Sequence, residues 1–249
     1  MKVQVASNAR ETGVAAGNAA ADLIVAEIEK KGTANILLAT GASQFETLNQ
    51  LISRKDIQWS RVTMFHLDEY IGLPDTHPAS FRKYLKERFL DKVAPLKTAY
   101  LINGETEPLT ECRRLARLIG DHPIDVGLIG IGENAHLAFN DPPADFETTA
   151  PYIIAALDEG CRRQQVNEGW FAHIGEVPDR AISISIKQIM QAGRLICSVP
   201  DLRKAAAVKN CLEQPVSNLY PASILQRHAE CQLFLDEASA SLLSNDLVF

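Results

Sequence analysis

The sequence predicts an α/β fold in which a mostly parallel, twisted sheet is flanked by helices, with residues 1–249 forming a single domain. Short apolar runs alternate with helical segments of about ten or more residues, which is typical of repeated βα units. The run at residues 126–131 is apolar throughout, as expected for a strand buried on both faces of a parallel sheet. Apolar residues make up 46% of the chain, enough for a large core, and no repeat, low-complexity tract or linker interrupts it.

The first two elements have clear local signals. Residues 1–6 alternate in polarity and predict an edge strand. Asn8 and Glu11 have the spacing of a capping box, so a helix is expected from there to about residue 31. Gly32 follows, and glycine is the residue that most often ends a helix.

The remaining elements continue the alternation of strand and helix. Pro78 suits the first position of a helix and Asp201 is a suitable N-cap, whereas Gly169 interrupts a helical segment. Residues 181–186 alternate isoleucine with serine, so one face of that strand is expected to be wetter than in the central strand. Strands are expected at residues 35–40, 61–67, 99–102, 126–131, 152–157, 181–186, 195–199 and 231–235, the last closing the sheet, and helices at 44–54, 78–90, 108–119, 159–171 and 201–213.

Composition excludes several classes of function. The net charge is -6 and both signs are interspersed, so no nucleic-acid surface is expected. The sequence has no apolar stretch of membrane-spanning length and no basic start followed by an apolar segment, so neither a membrane span nor a signal peptide is expected. Five cysteines without C-x-x-C spacing indicate reduced thiols and a cytoplasmic location. The six histidines lack H-x-H and H-x-x-x-H pairs, so no metal site is expected.

The loop after the central strand is the first candidate site. Ligands of open α/β sheets bind at the carboxyl ends of strands, and titratable or amide side chains follow this strand at once: Glu133, Asn134, His136, Asn140 and Asp141. A histidine there can also be an ordinary loop residue. Gly130, Gly132 and Ala135 fit the dinucleotide pattern G-x-G-x-x-A, but prolines soon break the chain and the expected acidic residue is missing. A nicotinamide site is therefore not expected.

Three other strand ends hold candidate ligand groups. The turn formed by Thr40, Gly41, Ala42 and Ser43 leads into a helix whose N-terminus could bind phosphate, or it is an ordinary capped turn. Asp68 and Glu69 offer a general base and a structural carboxylate, or a solvated acidic turn. Lys204 opposes the dipole of its helix and is either placed for an anion or simply exposed.

Together these stretches resemble the glucosamine-6-phosphate deaminases, within the group that includes 6-phosphogluconolactonases and ribose-5-phosphate isomerases. The resemblance covers nearly the whole chain in matching order, and D-E-Y-I-G-L-P and H-L-A-F-N are its most specific motifs. A lactonase typically has D-E-R and H-T-A-S-L-F instead, so the resemblance favours a deaminase. The carrying residues are Thr40 to Ser43, Phe65 to Pro74, His77 to Phe81, Gly130 to Pro142 and Lys204 with Ala205.

The resemblance implies a Rossmann-like fold of the sugar-phosphate isomerase type and an enzyme of amino-sugar catabolism. The implied reaction opens glucosamine 6-phosphate, isomerises it and releases ammonia, giving fructose 6-phosphate without a metal or organic cofactor. By position, Asp68 matches the base that moves the C2 proton and His136 matches the ring-opening acid/base, with Asn134 and Asp141 beside it. The substrate and phosphate ligands implied are Thr40, Gly41, Ala42, Ser43, Glu69, Gly132 and Lys204.

The chain departs from the family pattern at three places. Asn134 stands where the family typically has Asp, and Asp141 stands where a Glu usually follows F-N. A neutral Asn134 cannot favour the imidazolium, so His136 is expected to lose its proton at lower pH than with Asp there. The lid arginine is replaced near Gly169, with Arg162 or Arg163 as candidate substitutes.

Other functions remain compatible with these residues. They are a galactosamine-6-phosphate enzyme, a non-deaminating isomerase, a lactonase and a binding module that has lost catalysis. The C-terminal extension of allosteric members is missing, so no amino-sugar activation is expected. The sequence does not determine the preferred epimer, the oligomeric state or the physiological direction.

Overall fold

Within residues 1–244, which the computed structural model describes, the chain forms a parallel sheet and a smaller antiparallel sheet. In spatial order, the parallel sheet contains β1 (Lys2–Ala6), β10 (Cys231–Asp236), β9 (Arg194–Val199), β6 (Val126–Ile129), β2 (Ala34–Leu38), β3 (Val62–His66) and β5 (Thr98–Tyr100). The antiparallel sheet contains β4 (Asp68–Tyr70), β8 (Arg180–Ile184) and β7 (Tyr152–Ala156). The predicted α/β fold with a mostly parallel sheet is confirmed.

Helices connect the strands and cover the parallel sheet. They are α1 (Ala9–Lys31), α2 (Phe45–Ser53), α3 (Phe81–Arg88), α4 (Pro108–Asp121), α5 (Glu159–Asn167), α6 (Ile186–Ile189), α7 (Ala205–Glu213) and α8 (Glu237–Ala240). The first has the predicted boundaries, since Asn8 accepts a hydrogen bond from the backbone N–H of Glu11 and Gly32 ends it with φ 86°. The capping box is only half formed, because the Glu11 carboxylate accepts from Ser7 Oγ instead. None of the helices in the described part of the chain is long and apolar enough to cross a membrane.

The parallel sheet is buried on both faces. In β2, Ile36 and Leu38 pack with the residues of α1 and α2, whereas Leu37 packs into the core on the opposite face. This alternation follows from the two-residue period of a strand. All four residues of β6 are buried, as its uninterrupted apolar sequence predicts.

The order of strands positions the candidate site. β6 lies between β9 and β2, and β3 pairs with β2 on its other edge. The chain segments that follow these four neighbouring strands therefore leave the same edge of the sheet, where α/β proteins bind ligands. The loop at residues 130–143, the histidine loop, follows β6, and Lys204 follows β9. Thr40 follows β2 and Asp68 follows β3.

Several boundaries and strand partners differ from expectation. The strands expected at 152–157 and 181–186 pair with each other and with β4 in the antiparallel sheet, and residues 231–235 lie inside the parallel sheet, because β1 forms its edge. α3 begins at Phe81 rather than Pro78, since the side chain of Ser80 caps it. α5 ends at Asn167, two residues before Gly169 takes φ 80°.

The expected wet face of β8 is wrong. Ser183 and Ser185 are fully buried. Their hydroxyls are used internally: Ser183 Oγ accepts from Phe139 N and donates to Ile184 O, and Ser185 Oγ accepts from Gln188 N. Burial is tolerated because the polar atoms are hydrogen-bonded. Of the polar tail expected after residue 235, residues 245–249 lie outside the described part of the chain.

Candidate active site

An open cleft of about 600 Å³ lies at the carboxyl ends of the four neighbouring strands. A concave cleft lined by a few convergent polar groups suits a small molecule rather than a macromolecule. The sequence-predicted residues that line it are Thr40, Gly41, Ser43, Asp68, Gly132, His136 and Lys204. The predicted residues Ala42, Glu69, Asn134 and Asp141 do not line it.

Asp68 and Glu69 point in opposite directions, as neighbours on a strand must. Asp68 lines the cleft although it is only 7% exposed. Glu69 is fully buried away from the cleft, where its carboxylate accepts from Ser80 Oγ at 2.9 Å and from the backbone N–H of Arg82 at 2.8 Å. The structure therefore places Glu69 away from the cleft, where its carboxylate oxygens hold the start of α3.

The carboxyl of Asp68 is in an unusual electrostatic environment. Burial, together with the neighbouring charge of Glu69, raises its pKa to about 8. Desolvation disfavours the charged form of an acid, and a nearby like charge adds to that effect. A carboxylate generated in such a site is a stronger base than one in water, which suits the removal of a proton from carbon.

His136 is held against the backbone of its own loop. Gly132 N donates to the carbonyl of His136 at 3.0 Å. A Cβ on Gly132 would lie 2.2 Å from the imidazole, so only glycine leaves room for the ring. Ala135 and Ala138 have φ 69° and φ 49°, a left-handed conformation that non-glycine residues adopt at a cost of about 1–3 kcal/mol.

Asp141 is the acidic neighbour of the histidine. Its Oδ1 lies 3.1 Å from Nδ1 of His136, within ion-pair distance, although the ring N–H is not well aligned for a hydrogen bond. Burial would raise the pKa of Asp141, but His136, Asn134 and the backbone of Asp158 together hold it below its usual value. Asp141 thus remains an anion beside the imidazole.

Asn134 bridges two carboxylates. Its Nδ2 donates to Oδ1 of Asp141 and to Oδ2 of Asp158, both at 3.1 Å, and its Oδ1 accepts from the backbone N–H of His136 at 3.1 Å. The sequence indicated a loss of negative charge at this position. In the structure the carboxylate of Asp158 accepts a hydrogen bond from the Asn134 amide. A negative charge is therefore present one hydrogen bond beyond position 134.

The turn after β2 forms one wall of the cleft. Gly41 has φ 97°, and a short 3-10 turn, Ala42–Gln44, follows it. Tyr84 OH donates to the Gly41 carbonyl at 3.0 Å and Gln44 Nε2 donates to Ser43 Oγ at 3.1 Å. These bonds fix the turn while Thr40, Gly41 and Ser43 remain on the cleft surface.

Lys204 lines the cleft and is 4% exposed. Burial lowers its pKa, an effect that Glu168 and Glu133 oppose through their charge. Among residues 1–244, no carboxylate lies within ion-pair distance of its Nζ. A buried cation without a partner is costly, and a bound anion would supply that partner.

Gln164, Gln165 and Glu168 were not predicted, yet they line the cleft. The Glu168 carboxylate accepts from Gln164 Nε2 at 2.7 Å and from Trp170 Nε1 at 3.1 Å. The four-residue spacing of Gln164 and Glu168 is a signal that they share a helix face. The sequence has no signal for which face meets the cleft.

Neither arginine considered for the lid lines the cleft. Arg162 donates from Nη2 to the carbonyls of Ile174 and Val177, so it holds the segment after α5. Arg163 is 67% exposed and pairs with Glu159 on the surface. The described cleft therefore has Lys204 as its lining cation and Glu168 and Asp68 as lining acids.

One group near the cleft has metal-ligand chemistry. Donor atoms of His136, Asp141 and Cys161 all lie within 4.8 Å of one another. Burial, with the charges of Asp141 and Asp158, raises the pKa of the Cys161 thiol far above its ordinary value. In the metal-free protein this thiol therefore stays protonated.

The chain is similar to known sugar-phosphate proteins over most of its length. The family described as glucosamine-6-phosphate isomerases/6-phosphogluconolactonase matches residues 7–234. A glucosamine-6-phosphate deaminase of Lactobacillus delbrueckii subsp. bulgaricus is 34% identical over 98% of this chain and 100% of its own. One from Listeria monocytogenes serotype 4a is 37% identical over 85% of this chain and 89% of its own.

Solved structures agree with these relatives. A monomeric glucosamine-6-phosphate deaminase superimposes with a TM-score of 0.89 at 30% identity, over 97% of this chain and 100% of that one. A 6-phosphogluconolactonase from Trypanosoma brucei has a TM-score of 0.79 at 16% identity, over 98% of both chains, a likeness that extends to the fold alone.

Proposed function

Because the chain belongs to the family of glucosamine-6-phosphate isomerases and 6-phosphogluconolactonases, we propose that it is an enzyme that converts glucosamine 6-phosphate and water to fructose 6-phosphate and ammonia. The observation that carries the proposal is that Asp68 and His136 line one cleft together with Lys204, although they follow different strands. The Lactobacillus and Listeria relatives described above, at 34% and 37% identity, are deaminases, which favours this reaction over lactone hydrolysis.

Proton transfers by His136 and Asp68 account for the isomerisation. His136 moves a proton between the C1 hydroxyl and the ring oxygen, which opens the sugar to an aldehyde at C1. Asp68 then removes the C2 proton, now acidic because it is next to the carbonyl, while the C2 ammonium of the substrate passes a proton to the C1 oxygen, which gives an enolamine. Return of the proton to C1 produces an iminium at C2.

Hydrolysis of the iminium completes the reaction. Water adds to C2, and the resulting carbinolamine expels ammonia to leave the ketone of fructose 6-phosphate. His136 suits proton transfer to and from sugar oxygens because an imidazole titrates near neutral pH. Asp141 supports its charged form from 3.1 Å away.

Lys204 and the Thr40–Ser43 turn bind the phosphate in this proposal. The Lys204 side chain is largely buried and lines the cleft, so a phosphate dianion there gains a charge-assisted bond to Nζ. Thr40 and Ser43, which line the same cleft, add hydroxyl donors. Binding energy from this remote group orients C1 and C2 between Asp68 and His136.

A product assay tests the proposal. The purified protein is incubated with glucosamine 6-phosphate, galactosamine 6-phosphate or 6-phosphogluconolactone, and ammonia, ketose phosphate and acid are measured. Equal amounts of ammonia and fructose 6-phosphate from the first substrate are expected, with Asp68→Asn as the inactive control. Acid release from the lactone without ammonia from either amino sugar would contradict the proposal and favour a lactonase.

We also propose that the protein folds as one domain and acts in the cytoplasm. All five cysteines are free and buried, which suits a reducing compartment. The matched family region, residues 7–234, includes nearly every element of both sheets. Limited proteolysis and cell fractionation test these two points; a stable internal fragment or a periplasmic location would contradict them.

A further inference from the structure

Asp158 connects α5 to the histidine loop. Its Oδ1 caps α5 by accepting from the backbone N–H of Cys161 at 2.6 Å. Its other oxygen accepts from Asn134 Nδ2, and its own N–H donates to Oδ2 of Asp141 at 3.1 Å. Asp158 therefore contacts both residues that surround His136 while it begins the helix whose far end brings Glu168 to the cleft.

In the cluster of Asn134, Asp141 and Asp158, each side-chain hydrogen bond joins an amide donor to a carboxylate acceptor. Asn134 supplies the side-chain donor between Asp141 and Asp158, and both of its contacts are 3.1 Å long. A carboxylate at position 134 would face two other carboxylates without a proton between them. An amide at position 158 would direct its own N–H groups toward Asn134 Nδ2, or leave that donor unpaired.

We propose that Asp158 is a positioning residue for His136, acting through Asn134 and Asp141, and that Asn134 and Asp158 function as a matched pair. The inference rests on the proposed function for the role of His136 in catalysis. Asp158 orients Asp141 with its backbone N–H and adds a second negative charge near the imidazole. Both effects favour the charged imidazole in the orientation that reaches the cleft.

Other charged or titratable groups also surround His136. Asp141 lies on its own loop and Cys161 at the start of α5, where Asp158 bonds Asn134. Asp68, Glu168 and Lys204 line the same cleft as His136. Asp158, like Asp141 and Cys161, does not line the cleft, so its charge can be removed without changing the cleft surface. It can therefore be tested apart from the groups that would touch substrate.

Four proteins form the test: wild type, Asp158→Asn, Asn134→Asp and the double variant. The pKa of His136 is measured by NMR titration of its ring, assigned from the signal missing in His136→Gln. Asp158→Asn should lower the pKa of His136 by about half a unit, less than the roughly 1–3 units of a directly contacting charge. The double variant, which restores the net charge and one donor–acceptor contact, should recover at least half of that shift.

Turnover should show the same coupling. Each single variant is expected to lose about tenfold in kcat/KM on glucosamine 6-phosphate, mainly in kcat, because His136 is misplaced rather than the substrate lost. The kcat/KM of the double variant should be well above the value expected if the two single losses simply multiplied. Recovery will be partial, because the carboxylate introduced at position 134 still faces Asp141.

Two controls separate this role from helix capping. Asparagine is as good an N-cap as aspartate, so Asp158→Asn keeps the start of α5. Glu107→Gln removes a carboxylate that caps α4, whose residues do not line the cleft, and should leave the pKa of His136 and kcat/KM unchanged.

The outcomes distinguish the inference from the proposed function. An unchanged pKa of His136 in Asp158→Asn, or a double variant no better than the product of the single losses, would overturn the positioning role. NMR titration needs no turnover. Coupled shifts in an inactive wild type would support the positioning role and overturn only the proposed function.

Discussion

Gly132 provides the space that the imidazole of His136 occupies: a Cβ at residue 132 would lie 2.2 Å from Cε1 and Nε2 of the ring. The glycine lines the cleft next to the histidine, and its N–H bonds the His136 carbonyl. The conformation of the histidine loop therefore depends on the absence of one carbon atom. This contact is the most local determinant of where the histidine points.

Gly132→Ala should displace the ring and lower kcat/KM. A shift of about 1 Å at a reacting group can cost about 10²-fold, and a loss of that order is expected. Gly120→Ala is the matched control, since a Cβ there meets no atom within 4 Å. Steady-state kinetics with both variants test the contact; equal activity of the two proteins would show that the ring does not need this space.

The raised pKa of Asp68 predicts the pH dependence of turnover. A base must be ionised, and burial beside Glu69 raises the pKa of Asp68 to about 8. The value of kcat/KM should therefore rise with pH across a limb centred near 8. An acid limb with a midpoint of about 4, the ordinary value for Asp, would contradict the burial effect.

The same pKa predicts a change in stability. In the unfolded chain Asp68 ionises near about 3.9, whereas the folded protein keeps its proton up to about 8. Between these values the folded state binds more protons, so ionisation of Asp68 lowers stability as pH rises through that window. The difference in urea midpoint, wild type minus Asp68→Asn, should fall as pH rises across the window; a constant difference would contradict the prediction.

Lys204 is expected to bind phosphate without stabilising the free protein. Lys204→Met removes a desolvated cation without an ion-pair partner, so the free protein should be at least as stable as wild type. The variant should also have a higher KM and lose inhibition by inorganic phosphate. Lys209→Met, which removes a partly exposed cation from α7, is the control for charge alone. Unchanged KM in Lys204→Met would remove this residue from the phosphate site.

Glu168 should weaken phosphate binding. It lines the same cleft as Lys204 and carries a negative charge that a phosphate dianion must approach. Glu168→Gln should therefore lower the inhibition constant of inorganic phosphate about three- to tenfold, as expected for removing a like charge several ångströms away. Glu159→Gln, at an exposed position at the start of α5, should leave the inhibition constant unchanged. Weaker phosphate inhibition in Glu168→Gln would mean that Glu168 supports the anion site.

Sequence patterns predicted most of the fold because the signals of the parallel strands are local. The apolar run of β6 identifies a strand by itself, and cap residues such as Gly32 mark helix ends. The antiparallel sheet was not predicted, since it depends on pairs such as Asp68 with Ser183 that are far apart in the chain. Local periodicity carries no information about such partners.

The sequence predicted those residues of the cleft that can be located from their position at the end of a strand. Thr40, Asp68, His136 and Lys204 follow strands, and the carboxyl ends of neighbouring strands meet. The rule does not determine side-chain direction, so it does not predict that Glu69 points away from the cleft. It also does not identify contacts across long separations, so the role of Asp158 beside Asn134 became visible only in the folded structure.

The exchange of the C2 hydrogen tests the central claim most directly, because Asp68 is proposed to remove it. Glucosamine 6-phosphate is incubated in deuterated water, and NMR measures how fast the C2 hydrogen is lost and whether deuterium enters C1 of the fructose 6-phosphate formed. Wild type should break the C2–H bond during turnover, and Asp68→Asn should do so about 10²- to 10⁴-fold more slowly. Equal rates in the two proteins, or no loss of the C2 hydrogen in wild type, would contradict the account.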